Sequence, residues 1–324
     1  MKNKIAILGS GAMGTACGTI LNENDHEVII YGIDNVELED LKNGFNKKYF
    51  GKSKISKFDV TNDLNKAIEN ANFIVIAIPS QFIPEVFLEL VSKIKNETVI
   101  INVAKGFWPN SNDFVHAKMA EYAKSNKYIE GIVSLVGPSF AVDIINKNIT
   151  IINSVCENIN LALKVKKIFA NSWFGVVLND DVIGAEIGST YKNVLAIASG
   201  MAEALGYSTN TQAALLAMGL KEMQKYAQFL GAKSKTVYDL CGLGDLILTG
   251  LSEKSRNYTF GKNFFNKEND SKNITVEGLR TLEHIYNQIK DNQKIKLPLI
   301  NGLYKIVYNM ENPKKIIEDL IKSI

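Results

Sequence analysis

Gly9-Ser10-Gly11-Ala12-Met13-Gly14 fits G-x-G-x-x-G, and it sits between two informative segments. An apolar run, Lys4–Leu8, leads into it. A segment of helical spacing, Gly11–Asn22, leads out, and a second β-branched run follows at Glu27–Tyr31. Few folds accept that strand–turn–helix–strand order. The first glycine permits a tight turn, the second lets backbone approach a pyrophosphate, and the third lets helix pack on strand. Amides at the helix start then face the anion. The plain alternative is a glycine turn with no ligand, and the flanking elements speak against it.

The strand–helix alternation continues. Thr61 or Asn62 can cap a helix through Asn70, Phe73–Ile78 is a continuous apolar strand, and Pro79 breaks the chain before a helix around Glu85–Ile94. Thr98–Val103, Gly131–Val136, Thr150–Asn153 and Trp173–Leu178 read as further strands. Apolar runs without alternation mean strands buried on both faces, as in a parallel sheet covered by helices. After Asp181 helical patterns take over: Val182–Leu205, Thr211–Leu230, Val276–Lys290, Leu297–Tyr308 and Pro313–Ile321. The Lys/Asn segment Asn263–Asn273 reads as an exposed loop. The expected architecture is an α/β Rossmann-like doubly wound domain, residues 1–181, that binds a dinucleotide. An all-α domain, residues 182–324, follows it for substrate and catalysis.

Composition removes several classes. With 324 residues, 46% of them hydrophobic and 22% charged, the chain has ample core material for two domains. A net charge of +3 is too balanced for an obligate nucleic-acid binder. Three scattered cysteines (Cys17, Cys156, Cys241) make neither a disulfide framework nor a metal motif, which fits a reducing cytoplasm. Three separated histidines argue against a zinc enzyme, and no metal is expected. His26, in the turn before the second strand, reads as solvated. The apolar Val182–Leu205 stretch carries Glu186, Lys192, Asn193 and Glu203, so it reads as a buried helix and not a membrane span.

Within that stretch Lys192 stands among small and apolar residues. A buried ammonium is costly unless it is paired or faces a polar cleft. Desolvation lowers a lysine pKa, which suits acid/base work near neutral pH. The alternative is a snorkelling side chain. Asp245 follows the glycine turn Cys241–Gly244, and Ser255-Arg256-Asn257 follows ten residues later. Arg is the side chain for fork-like phosphate recognition, and the chain holds only two, Arg256 and Arg280. The plainer alternatives are a helix cap for Asp245 and a surface ion pair for Arg256. Ala104-Lys105-Gly106 and Gly137-Pro138-Ser139-Phe140 each follow a strand, at the edge where ligands bind in open α/β sheets. Asp34 lies where an acid meets the ribose 2′-hydroxyl, or else is a turn residue past the strand end. An acid there leans the cofactor weakly to NAD over NADP, with the preference left open.

Together these segments resemble the bacterial NAD(P)-dependent sn-glycerol-3-phosphate dehydrogenase family. The resemblance runs along nearly the whole chain: GSGAMGTA (9–16), IPSQ (78–81), AKG (104–106), GPSFA (137–141), YKNVLAIASGM (191–201), GLGDLILT (242–249), SRNYTFG (255–261), VEG (276–278) and LP (297–298). It implies reduction of dihydroxyacetone phosphate to sn-glycerol 3-phosphate with NADH or NADPH, feeding glycerophospholipid synthesis, by a homodimer. Lys192 is then the proton donor and acceptor at the C2 oxygen, with Asp245 its polar partner and Lys105 also in the site. Lys105, Gly137, Ser139, Ser255, Arg256 and Asn257 are substrate ligands, in a cleft between the domains. Gly9, Gly11, Ala12, Met13 and Gly14, with Ile33, Lys105, Ala141, Arg256, Thr275 and Glu277, match cofactor positions.

Three positions depart from the family. Ile33 stands where relatives often carry Arg or His, and it cannot attract a 2′-phosphate. Gln212 and Met218 stand where relatives often carry Arg. Two rivals remain: another Rossmann-plus-helical dehydrogenase acting on a hydroxy acid or keto acid, and a sensor that holds the dinucleotide without turnover.

Overall fold

The computed structural model describes residues 2–266 and 276–322. They fall into two compact units, Met1–Val182 and Ile183–Ile324. In the first, β1 (Lys4–Leu8), α1 (Ala12–Glu23) and β2 (Glu27–Tyr31) open the chain, followed by α2 (Asn35–Lys42), α3 (Lys47–Phe50) and β3 (Asp59–Thr61). Then come α4 (Leu64–Ile68), β4 (Phe73–Ile76), α5 (Ile83–Lys93), β5 (Thr98–Asn102), α6 (Val115–Ala123) and β6 (Ile129–Val136). The unit closes with α7 (Ala141–Ile145), β7 (Thr150–Val155), α8 (Ile159–Phe169) and β8 (Phe174–Asn179). The strands form one sheet in the order β3-β2-β1-β4-β5-β6-β7-β8.

The strand interiors carry apolar residues on both faces because both faces are covered. Ile5 and Ile7 join Ala16, Cys17 and Ile20 of α1 and Val165 of α8 in one cluster. Ala6 and Leu8, one residue out of phase, join Phe87 and Leu90 of α5 and Met119 of α6 in another. Successive side chains of a strand point to opposite faces, so one apolar run feeds two cores. Burial pushes the Cys17 thiol up to about 12, which makes it a packing residue.

The sheet is parallel except where β6 meets β7, and β8 runs with β7. This corrects the uniformly parallel expectation. A parallel return needs a crossover that climbs the sheet. The five residues of α7 rise only ~7.5 Å, against ~26 Å for the eight of β6, so β7 comes back antiparallel. Between β7 and β8 the eleven residues of α8 span enough to restore a parallel step. Other corrections are local. Asp63, not Thr61 or Asn62, caps α4 through Asn65 and Lys66 N–H, and Thr61 ends a strand. His26 is buried, its Nδ1 accepting from the Asn3 amide, and burial pulls its pKa down.

The second unit is helical: α9 (Val182–Ala204), α10 (Thr209–Phe229), a π turn at Leu240–Gly244, α11 (Asp245–Gly250) and α12 (Arg256–Asn263). After residues 267–275 come α13 (Glu277–Ile289), α14 (Pro298–Asn309) and α15 (Pro313–Lys322). The expected loop over Asn263–Asn273 lies mostly outside the described residues. Buried Glu222 of α10 accepts from the Leu299 and Ile300 amides at the start of α14, where a helix leaves N–H groups unpaired. Burial raises its carboxyl to about 7. Among the described residues no helix is long and apolar enough to cross a membrane, and no three His, Cys, Asp or Glu side chains group as metal ligands.

Candidate active site

In the first unit the glycine turn joins β1 to α1. Gly9 has φ +125°, and a Cβ there would lie 2.4 Å from the Ala77 carbonyl oxygen. A Cβ on Gly14 would lie 1.9 Å from the Gly9 carbonyl oxygen. The fold itself therefore requires both. Gly11 differs: its Cβ would come no nearer to protein than 3.6 Å, from the Tyr49 hydroxyl. Protein packing does not demand that glycine, whereas a pyrophosphate laid on the α1 amides of Ala12 and Met13 does. The cradle fits a dinucleotide.

Beyond β2 the structure rearranges the expected adenosine end. Ile33 is 86% exposed. Asp34 is the N-cap of α2, accepting from Val36 N–H (2.9 Å) and Glu37 N–H (3.3 Å). The carboxylate turned toward the glycine turn is Glu37, which accepts from Ser10 Oγ at 2.5 Å. Sequence reasoning passed over Glu37, although Asp34-x-x-Glu37 is a capping-box spacing that marks a helix start. At the carboxyl ends of β5 and β6 stand Lys105, then Gly137 and Ser139, with Ala141 opening α7. Gly137 has φ +151°, and Ser139 Oγ donates to its carbonyl at 3.0 Å.

In the second unit Lys192 lies mid-helix in α9, 4% exposed, with Nζ 2.8 Å from Oδ1 of Asp245, itself 1% exposed. The snorkelling and helix-cap alternatives both fail: the lysine is inside, and Gly244 precedes Asp245 at the start of α11. A buried ammonium and carboxylate compensate one another only at such contact. Close backbone approach makes the contact, since a Cβ on Gly188 would lie 2.6 Å from the Cys241 carbonyl oxygen.

The Ser-Arg-Asn segment begins α12. Ser255 is its N-cap and accepts from Tyr258 N–H at 3.4 Å. Asn257 Oδ1 accepts from Gly278 N–H at 2.9 Å, which ties α12 to the start of α13. Arg256 is 73% exposed, with a guanidinium nitrogen 3.7 Å from Glu277 Oε1. Asn193, next to Lys192, donates to the other oxygen of Glu277 at 3.4 Å. Lys192, Asp245, Asn193, Asn257 and Glu277 are thus linked through α9, α11, α12 and α13. Asn193 was not foreseen; its position beside Lys192 was the available signal. Thr275 lies outside the described residues. Gln212, on α10, donates to the Ser199 carbonyl (3.2 Å) and the Tyr258 hydroxyl (3.0 Å), so it serves as an internal tie. Met218 is half-buried.

Carbonyl reduction needs a hydride source and a proton source. A chain with a dinucleotide cradle in one unit and a buried ammonium held by a carboxylate in the other has the makings of both, which places it among the dinucleotide-dependent oxidoreductases. The chain belongs to the NAD-dependent glycerol-3-phosphate dehydrogenase family: residues 4–162 match its N-terminal model and residues 181–318 its C-terminal model. A glycerol-3-phosphate dehydrogenase [NAD(P)+] of Mycoplasma mobile is 46% identical over 312 residues, covering 94% of this chain and 92% of the relative. One of Clostridium botulinum (strain Alaska E43) is 35% identical over 98% of this chain and 97% of its own. The crystal structure of glycerol-3-phosphate dehydrogenase from Coxiella burnetii superposes with a TM-score of 0.87 at 26% identity, over 99% of both chains.

Proposed function

We propose that this chain reduces dihydroxyacetone phosphate to sn-glycerol 3-phosphate, reversibly, with a reduced nicotinamide dinucleotide. The buried Lys192–Asp245 pair carries the proposal. A reduced nicotinamide dinucleotide held on the Gly9–Gly14 turn would supply hydride for the C2 carbonyl carbon. Negative charge then builds on the carbonyl oxygen, and the Lys192 ammonium stabilises it and gives it a proton. Asp245 holds the ammonium in one direction and balances its charge where both side chains are buried. In the reverse direction Lys192 takes the hydroxyl proton.

Residues 1–181 act in this proposal as the dinucleotide-binding domain and 182–324 as the substrate and catalytic domain. Lys105, Gly137, Ser139, Ser255, Arg256 and Asn257 are assigned to the substrate, with the phosphate on Arg256 and Asn257. The exposed guanidinium supports this, since its fork is engaged only by Glu277 at 3.7 Å among the contacts described. Ala12, Met13, Ile33, Ala141 and Glu277 are assigned to the cofactor. A homodimer in the cytoplasm, supplying glycerophospholipid synthesis, completes the proposal on the strength of the family.

Two measurements test it. Loss of reduced-nicotinamide absorbance with dihydroxyacetone phosphate, but not with unphosphorylated dihydroxyacetone, is the expected result; equal rates with both would remove the phosphate from recognition. Arg256→Lys keeps the charge and loses the fork. Its KM for the phosphorylated substrate is expected to rise about tenfold, roughly one charge-assisted hydrogen bond. An unchanged KM would take Arg256 out of the phosphate site.

A further inference from the structure

α3 and the turn before it lie against the glycine turn. Buried Asn46 donates from Nδ2 to the Ser10 carbonyl and to Thr15 Oγ1, both at 2.9 Å. That bond fixes where Lys48 can reach. Its Nζ lies 2.5 Å from Glu37 Oε1 and 3.9 Å from Asp34 Oδ2. Glu37 is only 8% exposed in its side chain, Lys48 is 58% exposed, and Glu37 is bonded to Ser10 on its other oxygen. Two carboxylates and one ammonium therefore gather past the end of β2, about 20 residues beyond the glycines, where a Rossmann-like fold meets the adenosine ribose. The group sums to one negative charge.

We propose that the Glu37–Lys48 pair decides between NADH and NADPH. Carboxylate oxygens suit a ribose 2′-hydroxyl, which donates; a 2′-phosphate needs cations. Lys48 is a cation at this end of the site, and Glu37 holds it. While the pair stands, the phosphate meets net negative charge and an ammonium already in use, so NADH is preferred. Asp34 has Oδ1 committed to the α2 amides and Oδ2 at 3.9 Å from Lys48 Nζ, so it adds negative charge at this end of the site. Glu37 is thus the switch: neutralising it frees Lys48 and brings the local sum to zero. Ile33, exposed and apolar, offers the phosphate nothing in either state.

This inference rests on the dinucleotide occupying the glycine turn, not on dihydroxyacetone phosphate being the substrate. The test is therefore direct binding: dissociation constants for NADH and NADPH from ligand fluorescence, with no substrate present. Wild type is expected to bind NADH the more tightly. Glu37→Gln keeps an acceptor for Ser10 and removes the charge. It is expected to move the NADH/NADPH affinity ratio about tenfold toward NADPH, the scale of one charge at a partly screened site. NADPH binding should also become more salt-sensitive. The double variant Glu37→Gln/Lys48→Ala should lose that gain. Lys48→Ala alone, at an exposed position, should move the ratio several-fold toward NADH. Equal wild-type affinities, a ratio unmoved by Glu37→Gln, or a gain that survives loss of Lys48 would each overturn the inference. Should Glu37→Gln fail to fold, an unmoved ratio in Lys48→Ala would do the same. Tight NADH binding without turnover would count against the proposed reaction and leave this inference standing.

Discussion

Lys192→Ala is expected to lower kcat by about a thousandfold or more while NADH affinity is retained. The figure follows from what the ammonium does. Positioned proton transfer contributes roughly 10²–10⁴ in rate, and a preorganised charge at the developing oxyanion contributes on the order of 10²–10³. Here one group supplies both, so the effects overlap and do not multiply. The substitution also strands Asp245, 1% exposed, without its 2.8 Å partner. Removing one partner of a buried ion pair costs about 3–5 kcal/mol, so stability must be followed in parallel by thermal unfolding. Asp245→Asn keeps the lysine and tests the carboxylate in turn, with stability followed in the same way because the Lys192 ammonium loses its counter-charge. It keeps an oxygen for Lys192 at nearly the same place and removes the charge. It is expected to lose stability less than Lys192→Ala because the amide oxygen still accepts from the ammonium, to bind NADH as the parent does, and to lose a smaller share of kcat than Lys192→Ala. In the proposed assignment the glycine turn of the first unit holds the dinucleotide pyrophosphate, and neither change touches that turn. Full turnover by Lys192→Ala would remove the lysine from the chemistry.

The ease with which Lys192 is found in the sequence, and the difficulty of finding its partner, have one physical cause. A charge among Gly, Ala, Val and Ile is visible because burial and charge conflict locally. The partner lies 53 residues on, and only the approach of Gly188 to the Cys241–Gly242 backbone brings it near. Arg256 shows the opposite case. Its geometry, exposed and near Glu277, is also what the surface-ion-pair alternative describes, so its phosphate role stays a proposal that the KM of Arg256→Lys decides. Strands β1, β2 and β4 to β8 were legible as apolar runs, whereas β3, three residues long and not buried, was not. The reversal at β7 was not, since an apolar run reads alike in either direction and connector length decides. Among the missed helices, α6, α7 and α8 lie between strands that were found, α2 and α3 lie between β2 and β3, and α3 and α7 are too short for a periodic signal. Asp34 occupied the expected ribose position in sequence, yet helix capping claimed it, and the inward carboxylate came from one turn later.

Gly261→Ala is expected to destabilise the second unit by about 2 kcal/mol and to raise the KM for the phosphorylated substrate. The sign is informative because helix propensity alone predicts the reverse. Alanine in a helix interior is favoured over glycine by about 1 kcal/mol, and Gly261 lies inside α12. Against that stands a clash: a Cβ there would sit 2.1 Å from the Ile197 carbonyl oxygen and 3.0 Å from the Met201 nitrogen. These are backbone atoms of α9 and cannot rotate away. The contact is reciprocal, for a Cβ on Gly200 would meet the Tyr258 carbonyl oxygen, also at 2.1 Å. Helices α9 and α12 therefore touch backbone to backbone, and one methyl group forces them apart by about an ångström. Overpacking of a fixed contact costs about 1–3 kcal/mol, occasionally more, which exceeds the propensity gain. Displacing α12 also moves what it carries: Ser255 and Arg256 at its start, and Asn257, whose 2.9 Å bond to Gly278 fixes α12 against α13. Denaturant unfolding reads the first effect and substrate titration the second. Leucine or valine at the same position should abolish folding of the unit. A Gly261→Ala protein as stable as the parent, with an unchanged KM, would mean that α12 can slide on α9 without disturbing the segment that begins it.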